Sequence, residues 1–146
     1  MKDSELEERL LSAWIGIHGI LKSSRVTERM TYNEAVVMKL VYDQYKRDGV
    51  GGTAVSRIVE ESHMLKSLVN RTINSLCAQG YLCRERDPED ARRLTVYPNM
   101  DRLPDFLAVH SQSLELAQTI INLIGPEDAD RFVRMYEKLS ASNLRL

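Results

Sequence analysis

The stretch that decides the fold reads MLKSLVNRTINSLCAQGYL, residues 64–82. On a helical wheel at about 100° per residue, its polar and apolar side chains separate onto two faces. The polar face carries Lys66, Ser67, Asn70, Arg71 and Asn74, and the apolar face carries Leu65, Leu68, Val69, Thr72, Ile73 and Leu76. The pattern predicts a helix over residues 64–79 whose apolar face packs on a core and whose polar face is free to meet a partner.

Elements on either side of this helix complete a small unit. A short helix is expected over about residues 56–62, and Gly80 should end the long helix because glycine readily adopts left-handed backbone conformations. Residues 81–84 and 94–97 contain the aromatic and β-branched types that favour strands. The DPED stretch between them, residues 87–90, has turn chemistry. The sequence therefore predicts a β-hairpin with a charged tip directly after the helix.

The first third of the chain predicts two further helices. Apolar residues three or four apart form one stripe, which consists of Leu6, Leu10, Leu11, Trp14, Ile17 and Leu21. Thr31-x-x-Glu34 is a capping box, and it should begin a second helix. That helix should end by Asp48-Gly49, because glycines at 49, 51 and 52 disfavour its continuation.

The last third of the chain also has helical periodicity. Apolar residues recur at helical spacing from Phe106 to Ile124, and Gly125-Pro126 separates this helix from a last one. We expect Pro104 to delay or kink the first of the two, since proline lacks a backbone donor. The fold class expected for residues 1–146 is thus a single, mainly α domain with a small β-hairpin.

Charge limits the kind of partner that the chain can bind. The net charge is −1, so a polyanion would have to be met by a local basic patch rather than by the whole surface. Residues 64–86 supply such a patch, because they contain Lys66, Arg71, Arg84 and Arg86 against Glu85 alone. The basic surface is expected to be narrow.

Cysteine usage and hydropathy indicate the cellular setting. Two cysteines, Cys77 and Cys83, do not make a disulfide framework, and the N-terminal MKDSELEERL is acidic and amphipathic rather than signal-like. No apolar run approaches the roughly 18 residues that a membrane span needs. We therefore expect a reducing, cytoplasmic location, no membrane partner and no cofactor.

A short helix, a turn, a longer helix with one polar face and a charged hairpin suit the binding of double-stranded DNA. A helix fits the major groove, and its outward side chains reach base edges. An arginine-bearing hairpin beside it can cover phosphates or enter the minor groove. The DNA-contacting residues that we expect are Lys66, Ser67, Asn70, Arg71, Asn74, Arg84, Arg86, Asp90, Arg92 and Arg93.

These residues resemble the MarR family of winged-helix transcription regulators. The recognition helix of that family resembles residues 67–76, which lead into Gly80-Tyr81-Leu82 and a strand with two arginines. The Asp-x-Arg of its hairpin, or wing, matches Asp90-Ala91-Arg92. The resemblance covers nearly the whole chain and implies a winged helix-turn-helix over residues 31–100, with dimerisation helices at 1–30 and 101–146. One departure is Pro98-Asn99, where the family usually has Leu-Thr; Asn99 could still act as a helix cap.

The resemblance also implies how such a protein would work. It implies a homodimer that binds a pseudo-palindromic operator, with one recognition helix per half-site, and a small-molecule pocket between the dimerisation helices and the winged helix. We expect a repressor whose affinity for the operator either responds to a ligand or is constitutive. The sequence does not point to ligand-binding residues. Residues expected at the dimer interface are Leu6, Leu10, Trp14, Phe132, Met135, Tyr136 and Leu139.

Alternative functions stay open at this stage. One is a winged helix that binds protein and has lost DNA binding, and another is a variant that senses oxidants through Cys77 or Cys83. A metal sensor would need His18, His63 or His110 to converge with other ligands in the fold, because none of them forms an i,i+4 pair with another histidine or a cysteine. Ser56 and Ser67 have no adjacent histidine and acid pattern, so no enzyme is expected.

Overall fold

A computed structural model of the chain describes residues 3–23, 29–48, 52–86, 88–90 and 92–142, and the side chains of 21–23 are outside the description. The helices are α1 (Asp3–Ser23), α2 (Tyr32–Asp48), α3 (Val55–Ser62), α4 (Lys66–Ala78), α5 (Leu103–Ile124) and α6 (Pro126–Ala141). The strands are β1 (Thr53–Ala54), β2 (Leu82–Arg86) and β3 (Leu94–Pro98). The expected turn at Gly49, the glycine at 51, the side chain of Leu21 and the wing residues Asp87 and Ala91 lie outside the described residues.

The fold class is confirmed: the chain is mainly helical with a small antiparallel sheet, as in a winged helix. It divides into two units, Met1–His110 and Ser111–Leu146, with the division inside α5. None of the described helices combines the length and the apolar character that crossing a membrane requires.

The core lies in the first unit, where apolar side chains of α2, α3, α4, the sheet and the start of α5 meet. Fully buried members are Val37, Val41, Ile58, Val69, Ile73, Leu76, Val96, Phe106 and Val109. Burial of such side chains stabilises a domain by roughly 1.5–3 kcal/mol each relative to leaving them in water. The apolar face of α4 therefore determines which side of the helix turns inward, and its polar face is left outside.

The sheet has one strand more than the sequence predicted. Its order is β1-β3-β2, and Thr53 of β1 pairs with Val96 of β3. A side chain at Gly52 would collide with Thr95 and Tyr97, so the close approach of β1 to β3 requires glycine there. β1 was not predicted because two residues are too few to show the alternation of a strand.

The C-terminal end of α4 is closed by a Schellman motif. Gly80 has φ +83°, the Tyr81 amide donates to the Leu76 carbonyl at 2.9 Å, and the Gly80 amide donates to the Cys77 carbonyl at 3.0 Å. Tyr81 and Leu76 are both buried, which supplies the hydrophobic contact of the motif. The prediction that Gly80 ends this helix is confirmed.

A group of hydrogen bonds then joins this helix end to the start of α5. Asn99 donates from its side chain to the Gly80 carbonyl at 2.7 Å and accepts from the Asp101 amide at 3.1 Å, so it caps the 3-10 turn Met100–Arg102. The Arg102 guanidinium donates to the Gln79 carbonyl at 2.9 Å and to Asp105 at 2.8 Å, and it lies over the Tyr81 ring. These contacts hold the first turn of α5 against the end of α4.

Pro104 neither delays nor kinks α5. The helix begins at Leu103, directly after the 3-10 turn, so Pro104 lies in its first turn. Backbone amides of a first turn have no partner inside the helix, and a proline there loses no hydrogen bond. The expectation of a delay or kink was wrong for that reason.

The second unit consists of the rest of α5 and of α6. Gly125, with φ +90°, precedes Pro126 at the start of α6, and Glu127 and Asp128 follow in the first turn, where the helix dipole favours acids. The side chains of α6 are exposed or half-buried along its length in the single chain.

Glu34 is the one buried carboxylate of the described residues, and it ties α2 to α4. The predicted capping box is present: the Thr31 amide donates to Glu34 Oε1 at 3.0 Å, and the Glu34 amide donates to Thr31 Oγ1 at 3.2 Å. The other oxygen, Oε2, accepts from Gln79 Nε2 at 2.6 Å and from Ser75 Oγ at 3.3 Å. Burial alone would raise the pKa of Glu34, but these hydrogen bonds outweigh it and hold the pKa below its ordinary value.

Glu34→Gln should therefore lower the free energy of unfolding by about 1–2 kcal/mol near neutral pH, because it sets a donor amide against the Gln79 amide. The pKa of Glu34 is lower in the folded than in the unfolded chain. The stabilisation is thus complete above the unfolded pKa and is lost as pH falls through the folded pKa. Urea unfolding of both proteins from neutral pH into acid should show the difference shrinking, and a difference independent of pH would contradict this role.

Candidate nucleic-acid interface

The recognition helix α4 presents a polar face on a buried base. Val69, Thr72, Ile73 and Leu76 are buried, whereas Lys66, Ser67, Arg71 and Asn74 are exposed and Asn70 is half-buried. Thr72 satisfies its hydroxyl within the helix by donating to the Leu68 carbonyl at 2.7 Å. The first turn of α4 contains no acidic residue. The expected DNA-contacting residues of this helix therefore lie together on one accessible surface.

Leu65 is the exception to the predicted division of faces. The wheel placed it on the apolar side, yet its side chain is 76% exposed. The reason is that α4 begins at Lys66, and Leu65 is the extended residue before it, with φ −61° and ψ 143°. A helical wheel assigns no direction to a residue outside the helix, so the expectation that Leu65 packs inward was wrong.

The turn between α3 and α4 fixes the entry of the recognition helix. His63 ends α3 in the left-handed conformation, with φ 58°. The Met64 amide then donates to Ser62 Oγ at 3.2 Å, and the half-buried Met64 packs against the core. The chain thus enters α4 from an ordered backbone.

The wing is the hairpin of β2 and β3 with the residues between them. Arg84 of β2 lies opposite Val96, and Arg86 lies opposite Leu94. Beyond the buried Leu82, the residues of β2 are exposed. Arg92 and Arg93 are exposed as well. The four expected wing arginines are consequently accessible, with Glu85 as the acidic residue among them on the strand.

Asp90 orders the backbone of the wing rather than an arginine side chain. Its Oδ1 accepts from the Arg92 amide at 3.0 Å, and its carbonyl accepts from the Arg93 amide at 3.0 Å. Aspartate commonly makes such a bond to the amide two residues on, which stabilises a turn. The family resemblance implied an Asp-x-Arg pair, and in this chain the described contact of the pair joins carboxylate and main chain.

The surroundings of Cys77 do not favour an activated thiol. Cys77 is half-buried and Cys83 is exposed, and neither is in a disulfide. Burial raises the pKa of the Cys77 thiol, and the nearby positive charge of Arg84 offsets this only in part. A raised pKa leaves little thiolate near neutral pH, which disfavours the oxidant-sensor alternative at Cys77. Across the described residues, no group of three or more histidine, cysteine or acidic side chains is arranged to hold a metal ion.

Comparison with known proteins shows what this segment is similar to. The MarR family model matches residues 47–93, from the end of α2 to the wing. The matched segment contains α3, α4 and β2, and over it the chain is similar to the MarR family. The resemblance drawn from the recognition helix and the Asp-x-Arg of the wing is thereby confirmed.

Solved structures of transcriptional regulators share the fold of this chain. The transcriptional regulator BldR from Sulfolobus solfataricus is 14% identical, with a TM-score of 0.79, and the match covers 97% of this chain and 99% of that one. BpsR from Bordetella bronchiseptica, whose DNA binding 6-hydroxynicotinic acid regulates, is 19% identical, with a TM-score of 0.75 and coverage of 92% and 98%. The PcaV transcriptional regulator from Streptomyces coelicolor, in complex with its natural ligand, is 17% identical, with a TM-score of 0.70 and coverage of 99% and 95%. No curated protein sequence matches the chain.

Besides strand β1, two features of this winged helix were not predicted from the sequence. The contacts of Asn99 and Arg102 with the end of α4 join residues about twenty positions apart, and only the capping role of Asn99 had a local signal. Leu65 was not predicted as the residue before α4, because the residue at that place usually has a side-chain oxygen that caps the helix and leucine has none.

Replacing Asp90 tests the wing turn. Asp90→Ala should weaken DNA binding by a few-fold, since the backbone that carries Arg92 must then be ordered on contact. Asp90→Asn is the matched control: its amide oxygen can accept the same bond, and the loss of a negative charge favours DNA, so its affinity should not fall. Fluorescence anisotropy with labelled duplex measures both. Tighter binding by Asp90→Ala, with fold and dimer intact, would contradict the role of the turn.

Proposed function

We propose that this protein is a sequence-specific DNA-binding repressor that acts as a homodimer on a pseudo-palindromic operator. The observation that carries the proposal is the exposed polar face of α4 beside an arginine-bearing wing, both on a fully packed base. A cytoplasmic location follows from this role.

The recognition helix would read the bases. Arg71 and Asn70 have side chains that form bidentate hydrogen bonds with guanine and adenine in the major groove. Arg71 is exposed on α4, and none of the salt bridges among the described residues involves its guanidinium. Lys66, Ser67 and Asn74 extend the same face and suit contacts with phosphates and neighbouring bases.

The wing would contact the phosphate backbone or the minor groove of the DNA. Arg92 follows a turn that the Asp90 carboxylate orders, so the arginine side chain starts from a defined backbone. Such arginines supply affinity that varies little with sequence, because phosphates are alike along DNA. Helix and wing thus divide specificity and affinity between them.

The dimer is supported by the apolar residues that the single chain leaves in contact with water. On α1, Leu6, Leu10 and Trp14 are 54%, 62% and 52% exposed. On α6, Phe132, Met135, Tyr136 and Leu139 are between 49% and 58% exposed. Large apolar side chains that lie exposed along one face of a helix mark an interaction site, and a second copy would cover them.

A small-molecule effector is the third part of the proposal. BpsR and PcaV, which share the fold, are described with 6-hydroxynicotinic acid and with a natural ligand. The contacts of Asn99 and Arg102 offer a physical route for such regulation, since they bond the first turn of α5 to the end of α4. A ligand that favours one position of α5 would shift the equilibrium between states of the winged helix that can and cannot bind DNA.

Selection from a random duplex pool tests the function directly. The protein should recover an inverted repeat whose half-sites lie about one helical turn apart, as two-fold symmetry requires. A folded dimer that enriches no motif would instead indicate a winged helix that binds another protein.

Single arginine replacements should separate the two parts of the interface. Arg71→Ala should cost roughly 1–3 kcal/mol per half-site and relax preference at one base position. Arg92→Ala should weaken operator and unrelated DNA alike and flatten the log–log salt dependence by about one charge per subunit. Arg131→Ala removes the same charge from α6 and serves as control, so its affinity should match the wild type. Equal loss of specificity in both wing and helix variants would contradict the division of labour.

A charge on the apolar stripe of α1 should break the dimer. Leu10→Glu should shift sedimentation towards the 16.7 kDa monomer and lower operator affinity with it, since burying an unpaired charge is costly. Ser12→Glu places the same charge about 200° around the same helix and should leave the dimer intact. A wild-type protein that stays monomeric at micromolar concentration would overturn the dimer.

A further inference from the structure

Leu65 contributes neither a helix cap nor a buried side chain to the fold. It is the residue before α4, and the structure shows no side-chain cap there. Serine, threonine, aspartate or asparagine at that place would accept a hydrogen bond from a first-turn amide and stabilise the helix. A large apolar side chain is instead 76% exposed to water. Neither helix stability nor core packing accounts for a leucine here.

The backbone that carries Leu65 is well defined. Its carbonyl accepts the first hydrogen bond of α4 from the Val69 amide at 3.0 Å. The preceding Met64 packs against the core, and its amide is bound to Ser62 Oγ. Of these two consecutive apolar residues, Met64 is therefore half-buried against the core, whereas Leu65 is exposed.

The surroundings of Leu65 indicate what covers it. Lys66 and Ser67, the next two residues, are exposed at the same end of α4, and the first turn contains no acid. When a recognition helix enters the major groove, residues at its N-terminal end contact the base edges. The apolar group that base edges present in that groove is the 5-methyl group of thymine.

We propose that Leu65 is a specificity-determining residue that packs against the 5-methyl group of a thymine in each half-site. The inference rests on the proposed DNA-binding function and adds to it a contact that discriminates without a hydrogen bond. Arg71 and Asn70 would read donors and acceptors, and Leu65 would distinguish thymine from cytosine at one further position.

Thymine-to-deoxyuridine replacement tests the contact, because it removes the methyl group and leaves base pairing unchanged. The probe is the tightest-binding duplex from the random-pool selection, with each thymine replaced in turn. At one thymine per half-site, wild-type affinity should fall about fourfold, the value expected for one buried methyl group. Leu65→Ser should bind the unmodified duplex more weakly and show no further loss at that thymine. Leu65→Met keeps an apolar side chain and should retain the dependence.

Stability measurements separate this role from a structural one. Leu65→Ser should raise the midpoint of urea unfolding, since serine caps α4, and should sediment as the same dimer as the wild type. A selected motif in which every replacement affects wild type and Leu65→Ser equally would overturn the inference while leaving the proposed function intact. Loss of the dimer in Leu65→Ser would show that a second copy covers Leu65 and would likewise overturn it. Recovery of no motif would count against the proposed function itself.

Discussion

The carboxylate of Glu34 is the contact on which the position of the recognition helix depends. One oxygen closes the first turn of α2, and the other receives Ser75 and Gln79 from the last turns of α4. Apolar packing alone is non-directional and would tolerate small slides of α4 along its axis. Hydrogen bonds to a buried charge are directional and strong, so they select one axial position. The exposed side chains of α4 inherit that position.

The contacts between the end of α4 and the start of α5 determine what can act on the recognition helix. After the Schellman motif at Gly80, the chain forms the wing and then returns, so that Asn99 and Arg102 bond the carbonyls of Gly80 and Gln79. The start of α5 also contacts α2, through the rings of Tyr42 and Phe106, whose centres are 5.1 Å apart. α2, α4 and the first turns of α5 consequently share one set of contacts within the first unit.

Local chemistry determined how much of this could be predicted from sequence. The capping box of Thr31 and Glu34, the glycine stop at residue 80 and the two faces of α4 each depend on residues within a few positions of one another, and each was predicted. Strand β1 has two residues and a partner some forty positions away, so no local pattern marks it. Leu65 was misassigned because the wheel was extended one residue beyond the helix. The polar face predicted for DNA contact is accessible as expected, and its role stays a proposal.

The tie between Glu34 and the end of α4 has a consequence for how such a protein can change over evolution. Glu34 is buried and accepts hydrogen bonds from Ser75 and Gln79, which are themselves exposed. Replacing Glu34 by an apolar residue removes the acceptor inside the fold, whereas Ser75 and Gln79 can hydrogen-bond to water. Glu34 should therefore change less readily than Ser75 or Gln79. The exposed residues of α4 make no comparable contacts with the interior, so a single substitution among them lowers the stability of the fold little. Operator preference can then diverge between descendants of one gene while the scaffold beneath it stays the same.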